Sequence, residues 1–308
     1  MIATVTLNPM LDKTVSLDAI RRGAVSRSTK VSMVVGGKGV NVSRQLRMLG
    51  EETIATGFAG GEIGSLLERL LDGEGIPRRF VRIEGMTREG VTYLERDGTM
   101  TSVFEPPGSV TEEEAERLIA LCAEIAGTSD WVVLSGSSPS PAADDVFRRV
   151  AADCRSRGIP VLLDSYGEAL ARGVEAVPDF LKPNLEEYER TFGTKLSGEA
   201  AMARGARHLV ERGVRYVLIT DGPRPFVAAD REGAWRVTPP SVRTVDPTGS
   251  GDSMIAGVLH GLRQSWPFAD CVGFGAAAGA ANASVREVAR CSRERILSLL
   301  GGVTLTRL

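Results

Sequence analysis

Short apolar runs alternate with amphipathic stretches through the middle of this chain, and that alternation leaves few folds open. The runs are Thr53 to Phe58, Trp131 to Leu134, Val161 to Leu163, Phe180-Leu181 and Tyr216 to Ile219. Between them, Ser65 to Asp72, Glu112 to Ile125, Ala142 to Ser156 and Glu199 to Glu211 carry the spacing of helices with one buried face. Strands apolar on both faces, separated by such helices, imply a parallel sheet covered on both sides. The expected fold class is therefore α/β. In sheets of this kind ligands sit outside the carboxyl ends of the strands. Chemically suggestive residues cluster at those ends: Ser135 to Ser138, Asp164, Lys182-Pro183-Asn184 and Thr220-Asp221-Gly222.

Two segments break the alternation. Met10 to Val35 and Glu89 to Phe104 are rich in Val, Thr and short alternating patches, and Asp97-Gly98 is a strong hairpin turn. They are expected to be strands outside the main sheet. With 308 residues and 43% apolar content the chain can bury a large core. One domain over residues 1–308 is expected, with these strands inserted at about 10–35 and 89–104.

Charge and rare residues narrow the function. The chain has 37 basic and 39 acidic side chains, a balance that suggests neither a nucleic-acid surface nor a membrane surface. The strand-like Ile2 to Leu7 follows the first residue with no basic-then-apolar leader, and no apolar run approaches membrane-spanning length. A soluble cytoplasmic protein is expected. Cys122, Cys154, Cys271 and Cys291 form no CxxC pair and read as core or helix-face thiols. Two histidines, His208 and His260, argue against a His-based metal site and against a Ser-His-Asp hydrolase, and Ser135-Gly136-Ser137-Ser138-Pro139 lacks the nucleophile elbow.

The chemistry lies in two glycine clusters. Asp246-Pro247-Thr248-Gly249-Ser250-Gly251-Asp252 runs directly into the apolar stretch Ser253 to Leu262. A glycine-rich turn opening a helix offers free N–H groups and the positive end of the helix dipole to an anion. A carboxylate at that turn, Asp252, is suited to take a proton from a hydroxyl attacking a phosphoryl group. The competing reading is a helix N-cap. The second cluster, Gly36-Gly37-Lys38-Gly39-Val40-Asn41, also follows an apolar stretch and opens a helix. It has neither P-loop nor dinucleotide spacing. Its glycines let a ligand approach the backbone, Asn41 can donate and accept toward a polyol, and Lys38 adds a positive charge.

Together these segments resemble the signatures of a known family. GGKGVNVSRQLRMLG, from Gly36, is similar to the first signature of the ribokinase-like, PfkB-type sugar kinases, and DPTGSGDSMIAGV, from Asp246, to the second. Thr6-Leu7-Asn8-Pro9-Met10-Leu11-Asp12 resembles the opening of the subgroup acting on phosphorylated ketohexoses: 1-phosphofructokinases, tagatose-6-phosphate kinases and minor-type 6-phosphofructokinases. The resemblance covers essentially the whole chain. It implies a three-layer α/β/α sandwich with a mostly parallel sheet and a small β lid over the sugar, often paired with a second subunit to make a homodimer.

The resemblance also implies roles. Asp252 would be the base, and the N–H groups of Gly249, Ser250 and Gly251 the anion hole. Asn184-Leu185-Glu186-Glu187 matches the family's N-x-x-E pattern, tied to ATP phosphate and, through water around Glu187, to Mg²⁺; the competing reading is helix capping with first-turn charge. Lys182 would lie near the nucleotide phosphates, with Thr220, Gly222 and Asn282 bordering the nucleotide. Asp12 would accept from sugar hydroxyls beside Gly37 and Asn41. Arg88 would bind the substrate phosphate, with Lys38 and Arg27 as further cations, Arg27 acting across a dimer interface. Three positions depart from the pattern: Tyr166 where serine is common, Thr220 to Pro225 where a glycine-rich loop is usual, and Ser137-Ser138-Pro139-Ser140-Pro141 in place of Leu-Pro-Pro-Gly. The expected activity is ATP-dependent phosphorylation of a ketohexose phosphate, leaning to fructose 1-phosphate giving fructose 1,6-bisphosphate. Tagatose-6-phosphate and fructose-6-phosphate kinases are alternatives within the fold. Phosphorylation of an unphosphorylated sugar or nucleoside, and a non-catalytic sugar-phosphate sensor, lie outside that reading.

Overall fold

The computed structural model describes residues 1–308. The chain starts with β1 (Ile2–Thr6), β2 (Met10–Leu17), β3 (Lys30–Gly36), α1 (Lys38–Met48), β4 (Thr53–Gly60) and α2 (Gly61–Gly73). Next come β5 (Arg78–Ile83), β6 (Arg88–Glu95), β7 (Met100–Phe104) and α3 (Glu112–Ala126). The middle runs β8 (Trp131–Ser135), α4 (Val146–Ser156), β9 (Val161–Asp164), α5 (Gly167–Glu175), β10 (Phe180–Leu181), α6 (Leu185–Phe192), α7 (Glu199–Glu211) and β11 (Tyr216–Ile219). β12 (Phe226–Ala229), β13 (Ala234–Thr238), α8 (Ser250–Arg263), α9 (Phe268–Ala283), α10 (Arg293–Leu300) and β14 (Thr304–Arg307) complete it.

Ten strands form one sheet in the order β14-β13-β12-β11-β10-β9-β8-β1-β4-β5. The seven from β11 to β5 are parallel, and β12, β13 and β14 add an antiparallel edge. β1, β8 and β9 are buried along their whole length, which is why their sequences are apolar on both faces. Helices flank both sides: α1, α8, α9 and α10 pack in one series, and α3, α4, α5 and α6 in another. Phe58, Phe147, Phe180, Phe226 and Phe274 fill the core between the layers. The Ala/Gly-rich α9 lies closely against α8, as its small residues allow.

Two details differ from the sequence-based expectation. The helix expected from Ala142 is interrupted: Pro141–Ala143 is a single 3₁₀ turn, and α4 starts only at Val146. The strands β5, β12, β13 and β14 have no counterpart in the apolar-run pattern. β5 (RRFVRI) mixes arginines with apolar residues because it is an edge strand.

The two irregular segments form a separate four-stranded sheet, β3-β2-β6-β7. Asp97 and Gly98 make its hairpin, with Glu95 N–H donating to the Thr99 carbonyl at 2.9 Å and Thr99 N–H to Asp97 Oδ1 at 2.8 Å. Register sets the base of this sheet: Met10 pairs with Arg88, and Asp12 with both Val34 and Gly90. Asp12 and Arg88 therefore meet where the small sheet joins the body. β7 is exposed throughout, and Val31, Met33, Val103 and Phe104 present apolar side chains to solvent.

Candidate active site

α1 and α8 begin at the carboxyl ends of the parallel strands, and both begin on a glycine with no side-chain cap. At α8 the N-cap is Gly249, at φ 77°, in the left-handed region that glycine enters without strain. A Cβ there would also lie 2.5 Å from Val288 Cγ1. The N–H groups of Gly249, Gly251 and Asp252 have no acceptor within the chain. Ser250 differs from expectation: its N–H closes a turn on the Pro247 carbonyl at 3.1 Å, so it is not a free donor.

Asn282 braces this turn from α9. Its Nδ2 donates to the Thr248 carbonyl at 2.7 Å and to Ser250 Oγ at 3.1 Å, while its Oδ1 accepts from Ala289 N–H at 2.7 Å and Ser253 Oγ at 3.3 Å. The buried amide expected beside the nucleotide is thus fully engaged in shaping the turn.

Asp252 does not cap its helix. Its Oδ2 accepts from Asn41 Nδ2 at 2.8 Å, across 211 residues of sequence, and Oδ1 is left without a hydrogen bond. Burial pushes its carboxyl up to about 6; Asp164 adds to the rise, while Lys38, the Asn41 hydrogen bond and Lys182 oppose it. Asn41, expected to face a polyol, holds the carboxylate instead, and its Oδ1 accepts from Arg44 at 2.8 Å.

Two lysines converge on Asp164 at the end of β9. Lys38 and Lys182 lie 3.4 Å and 3.1 Å from its Oδ1, while its buried Oδ2 has no partner. Burial disfavours the carboxylate, but Lys182 and Lys38 outweigh it and hold the Asp164 carboxyl low. Lys182 also stands at the mouth of α8, since a Cβ on Gly251 would lie 3.5 Å from its Nζ. Lys38 is 2.9 Å from Glu187 Oε1 as well. Burial works against its charge, yet Asp164, Glu187 and Asp252 prevail and raise the ammonium above the ordinary lysine range. Lys38, expected as a sugar-phosphate cation, is thus bound among carboxylates on the α6 side.

At the other end, Asp12 nests over Gly36, where a Cβ would lie 2.0 Å from its Oδ2. Burial pushes its carboxyl up to about 6, with Arg88 and then Arg44 opposing and Asp246 adding. Arg88 lines a pocket with Asn8, Thr87 and Pro139, and its buried Nε has no partner. Such an orphaned charged donor fits an anionic ligand.

A model of the pfkB family carbohydrate kinases matches residues 5–295. The chain belongs to that family. It is a sugar kinase with the ribokinase-like fold. Among solved structures it resembles the possible 1-phosphofructokinase of Thermotoga maritima, at 27% identity and a TM-score of 0.90 over 100% of this chain and 99% of that one. Phosphofructokinase-2 of Escherichia coli in complex with fructose-6-phosphate is 28% identical, with a TM-score of 0.88 over 97% and 98% of the two chains. The tetrameric inhibited form of the same enzyme is 27% identical, with a TM-score of 0.89 over the same shares.

The remaining expected residues of this kinase are spread around the site. Asn184 and Glu187 form a capping box: Asn184 Oδ1 accepts from Glu187 N–H, and Glu187 Oε2 from Asn184 N–H, both at 2.8 Å. Thr220 bridges to Asn184, so its backbone extends the β10–β11 ladder. Gly222 is exposed at φ 58° in a loop closed by the Asp221–Arg224 ion pair. Gly37 sits at φ 124° over Thr6 and Pro9. Arg27 lies in the exposed β2–β3 connection and makes no hydrogen bond or ion pair within the chain. Tyr166, where serine was expected, offers its ring to Lys38 at 5.7 Å and Arg190 at 5.4 Å. Asp164 stood out in the sequence only as a strand-end acid. Arg44 and Glu74 did not stand out, because their signal is a contact between distant segments.

Proposed function

We propose that this kinase transfers the γ-phosphoryl group of ATP to a hydroxyl of a phosphorylated ketohexose, with fructose 1-phosphate giving fructose 1,6-bisphosphate as the leading reaction. The observation that carries the reading is Asp252, a buried carboxylate with one free oxygen beside the uncapped start of α8. Asp252 Oδ1 takes the proton of the attacking hydroxyl. The sugar hydroxyl oxygen forms the new bond to phosphorus as the bond from phosphorus to the β–γ bridging oxygen breaks, and ADP leaves. The N–H groups of Gly249 and Gly251, with the helix dipole, hold the charge that develops on the phosphoryl oxygens. Lys182 neutralises charge at the same mouth.

Glu187 and Asp164 are oxygen donors joined through Lys38, and the orphaned Asp164 Oδ2 fits a magnesium ion held through water. Such an ion, when bound, screens the nucleotide phosphates. At the sugar end, Asp12 accepts from hydroxyls and Arg88 takes the substrate phosphate. A sensing role is disfavoured, since a pure sensor has no need of the base. Tagatose 6-phosphate and fructose 6-phosphate are the competing substrates. Comparing kcat/KM for the three ketohexose phosphates tests the leading reaction, which fails if fructose 1-phosphate is not the best.

The small sheet is read as a lid. Its exposed β7 edge and apolar Val31, Met33, Val103 and Phe104 are surfaces that a second copy would cover. A two-fold homodimer is proposed, with Arg27 reaching the neighbouring site. Sedimentation at micromolar concentration checks it: a fully active 33-kDa species would show that the lid stands alone.

A further inference from the structure

The Asn41 amide can be oriented from chemistry alone. Its Oδ1 faces Arg44 Nη1 and its Nδ2 faces Asp252 Oδ2. An arginine only donates, so the amide oxygen has to be the atom turned toward it. The NH₂ group is then the atom left to meet the carboxylate. Without Arg44 the amide could rotate by half a turn and present its oxygen to Asp252, an arrangement that repels the ionised base.

Arg44 is built to hold that orientation. It is 3% exposed, one turn along α1 from Asn41, and it makes four hydrogen bonds. Nε and Nη2 donate to the two Glu74 oxygens at 2.5 Å and 3.2 Å, and Nη2 also donates to the Val35 carbonyl at 2.7 Å. Glu74 follows α2 and is paired a second time with Arg290 at 3.1 Å. Arg290 adjoins Ala289, whose N–H is bound by Asn282, the brace of the glycine turn. The guanidinium therefore has one free choice of position, and Val35, at the stem of the small sheet, helps to fix it.

We propose that Arg44, clamped by Glu74 and the Val35 carbonyl, is a positioning residue for phosphoryl transfer: it locks the Asn41 amide with its NH₂ toward Asp252, so that one carboxylate oxygen is tied and the other points free to the sugar hydroxyl. This rests on the reading of Asp252 as the base. The loss is expected in kcat first, because the relay ends on the Asp252 carboxylate.

The test is a double-mutant cycle read in kcat and in both KM values, using Arg44→Met, Asn41→Ala and the double variant. Arg44→Met is expected to lower kcat by ~10-fold with each KM within ~3-fold, and the double variant to match Asn41→Ala, because Arg44 then has nothing to orient. A double variant a further ~10-fold below Asn41→Ala would overturn the proposal and make Arg44 a general brace. If Arg44→Met does not accumulate folded, Arg44→Lys answers the question. Its ammonium pairs with Glu74 but cannot span Glu74, Val35 and Asn41 together. The same pattern is expected, and wild-type kcat in folded Arg44→Lys would overturn the inference. Asp252→Asn separates the two levels: retained turnover there removes the base reading itself, whereas lost turnover there with unchanged kcat in Arg44→Met removes only the role of Arg44.

Discussion

α6 and α8 start on the same rim of the sheet with similar ingredients, a small or polar residue and an acid within the first turn, yet they spend them differently. At α6, Asn184 and Glu187 bond to each other's backbone N–H and close the helix end. At α8, Gly249 leaves the end open and Asp252 turns to Asn41 on α1. A closed N-terminus stabilises a helix; an open one keeps its donors for a ligand. The sequence allowed either reading at both places. The structure assigns the cap to α6, and the acid at α8 is kept free of its own helix.

The widest gap between the two helices is expected from Asp252→Asn. It preserves size and removes proton acceptance, so turnover should fall at least ~100-fold with nucleotide affinity little changed. Near wild-type turnover would mean that Asp252 serves the fold and not the proton transfer. Next, Arg88→Ala should raise the KM for a sugar phosphate by ~10- to 100-fold, the scale of a lost charge-assisted contact, with ATP affinity barely moved. An equal loss toward unphosphorylated fructose would mean that Arg88 serves folding or lid closure.

A pH profile sharpens the contrast further. A base at Asp252 would act only when ionised, and burial first, then Asp164, pushes its carboxyl up to about 6. Activity should therefore be present above that value and fall by ~tenfold per pH unit well below it. A kcat that stays flat down to pH ~4.5 would contradict a base of this kind. The smallest effect belongs to the closed helix. Asn184→Ala removes a cap and should cost ~1 kcal/mol of unfolding free energy in chemical denaturation. Unchanged stability with a large loss of turnover would show that the start of α6 is a ligand site before it is a cap.

What could be read from the sequence follows from how far apart the interacting residues are. β8, β9 and the helices around them were legible because burial on both faces forces an apolar run. β12, an apolar run of the same kind, was passed over beside its proline-rich turn, and β13 because its half-buried residues break the run. The two glycine turns were legible because a helix start left without a side-chain cap is written in local glycines. The partners of those turns were not. Asn41 meets Asp252 over 211 residues, and Lys38 meets Asp164 over 126 and Glu187 over 149, so Lys38 and Asn41 were expected at the sugar and stand among the acids. The Ser250 N–H was expected in the anion hole and Asn282 beside the nucleotide; the turn consumes the Ser250 N–H and all of the Asn282 amide.

The proposed reaction is phosphoryl transfer from ATP to a sugar that already carries a phosphate, with Asp252 at the open start of α8 as the base. ADP release measured by a coupled assay, with wild type and Asp252→Asn side by side on fructose 1-phosphate, fructose 6-phosphate, tagatose 6-phosphate and fructose, tests it most directly. Release is expected to require both ATP and a ketohexose phosphate, to be far weaker on fructose, and to be all but lost in Asp252→Asn. Release that is greatest on unphosphorylated fructose, or that survives in Asp252→Asn, would contradict it.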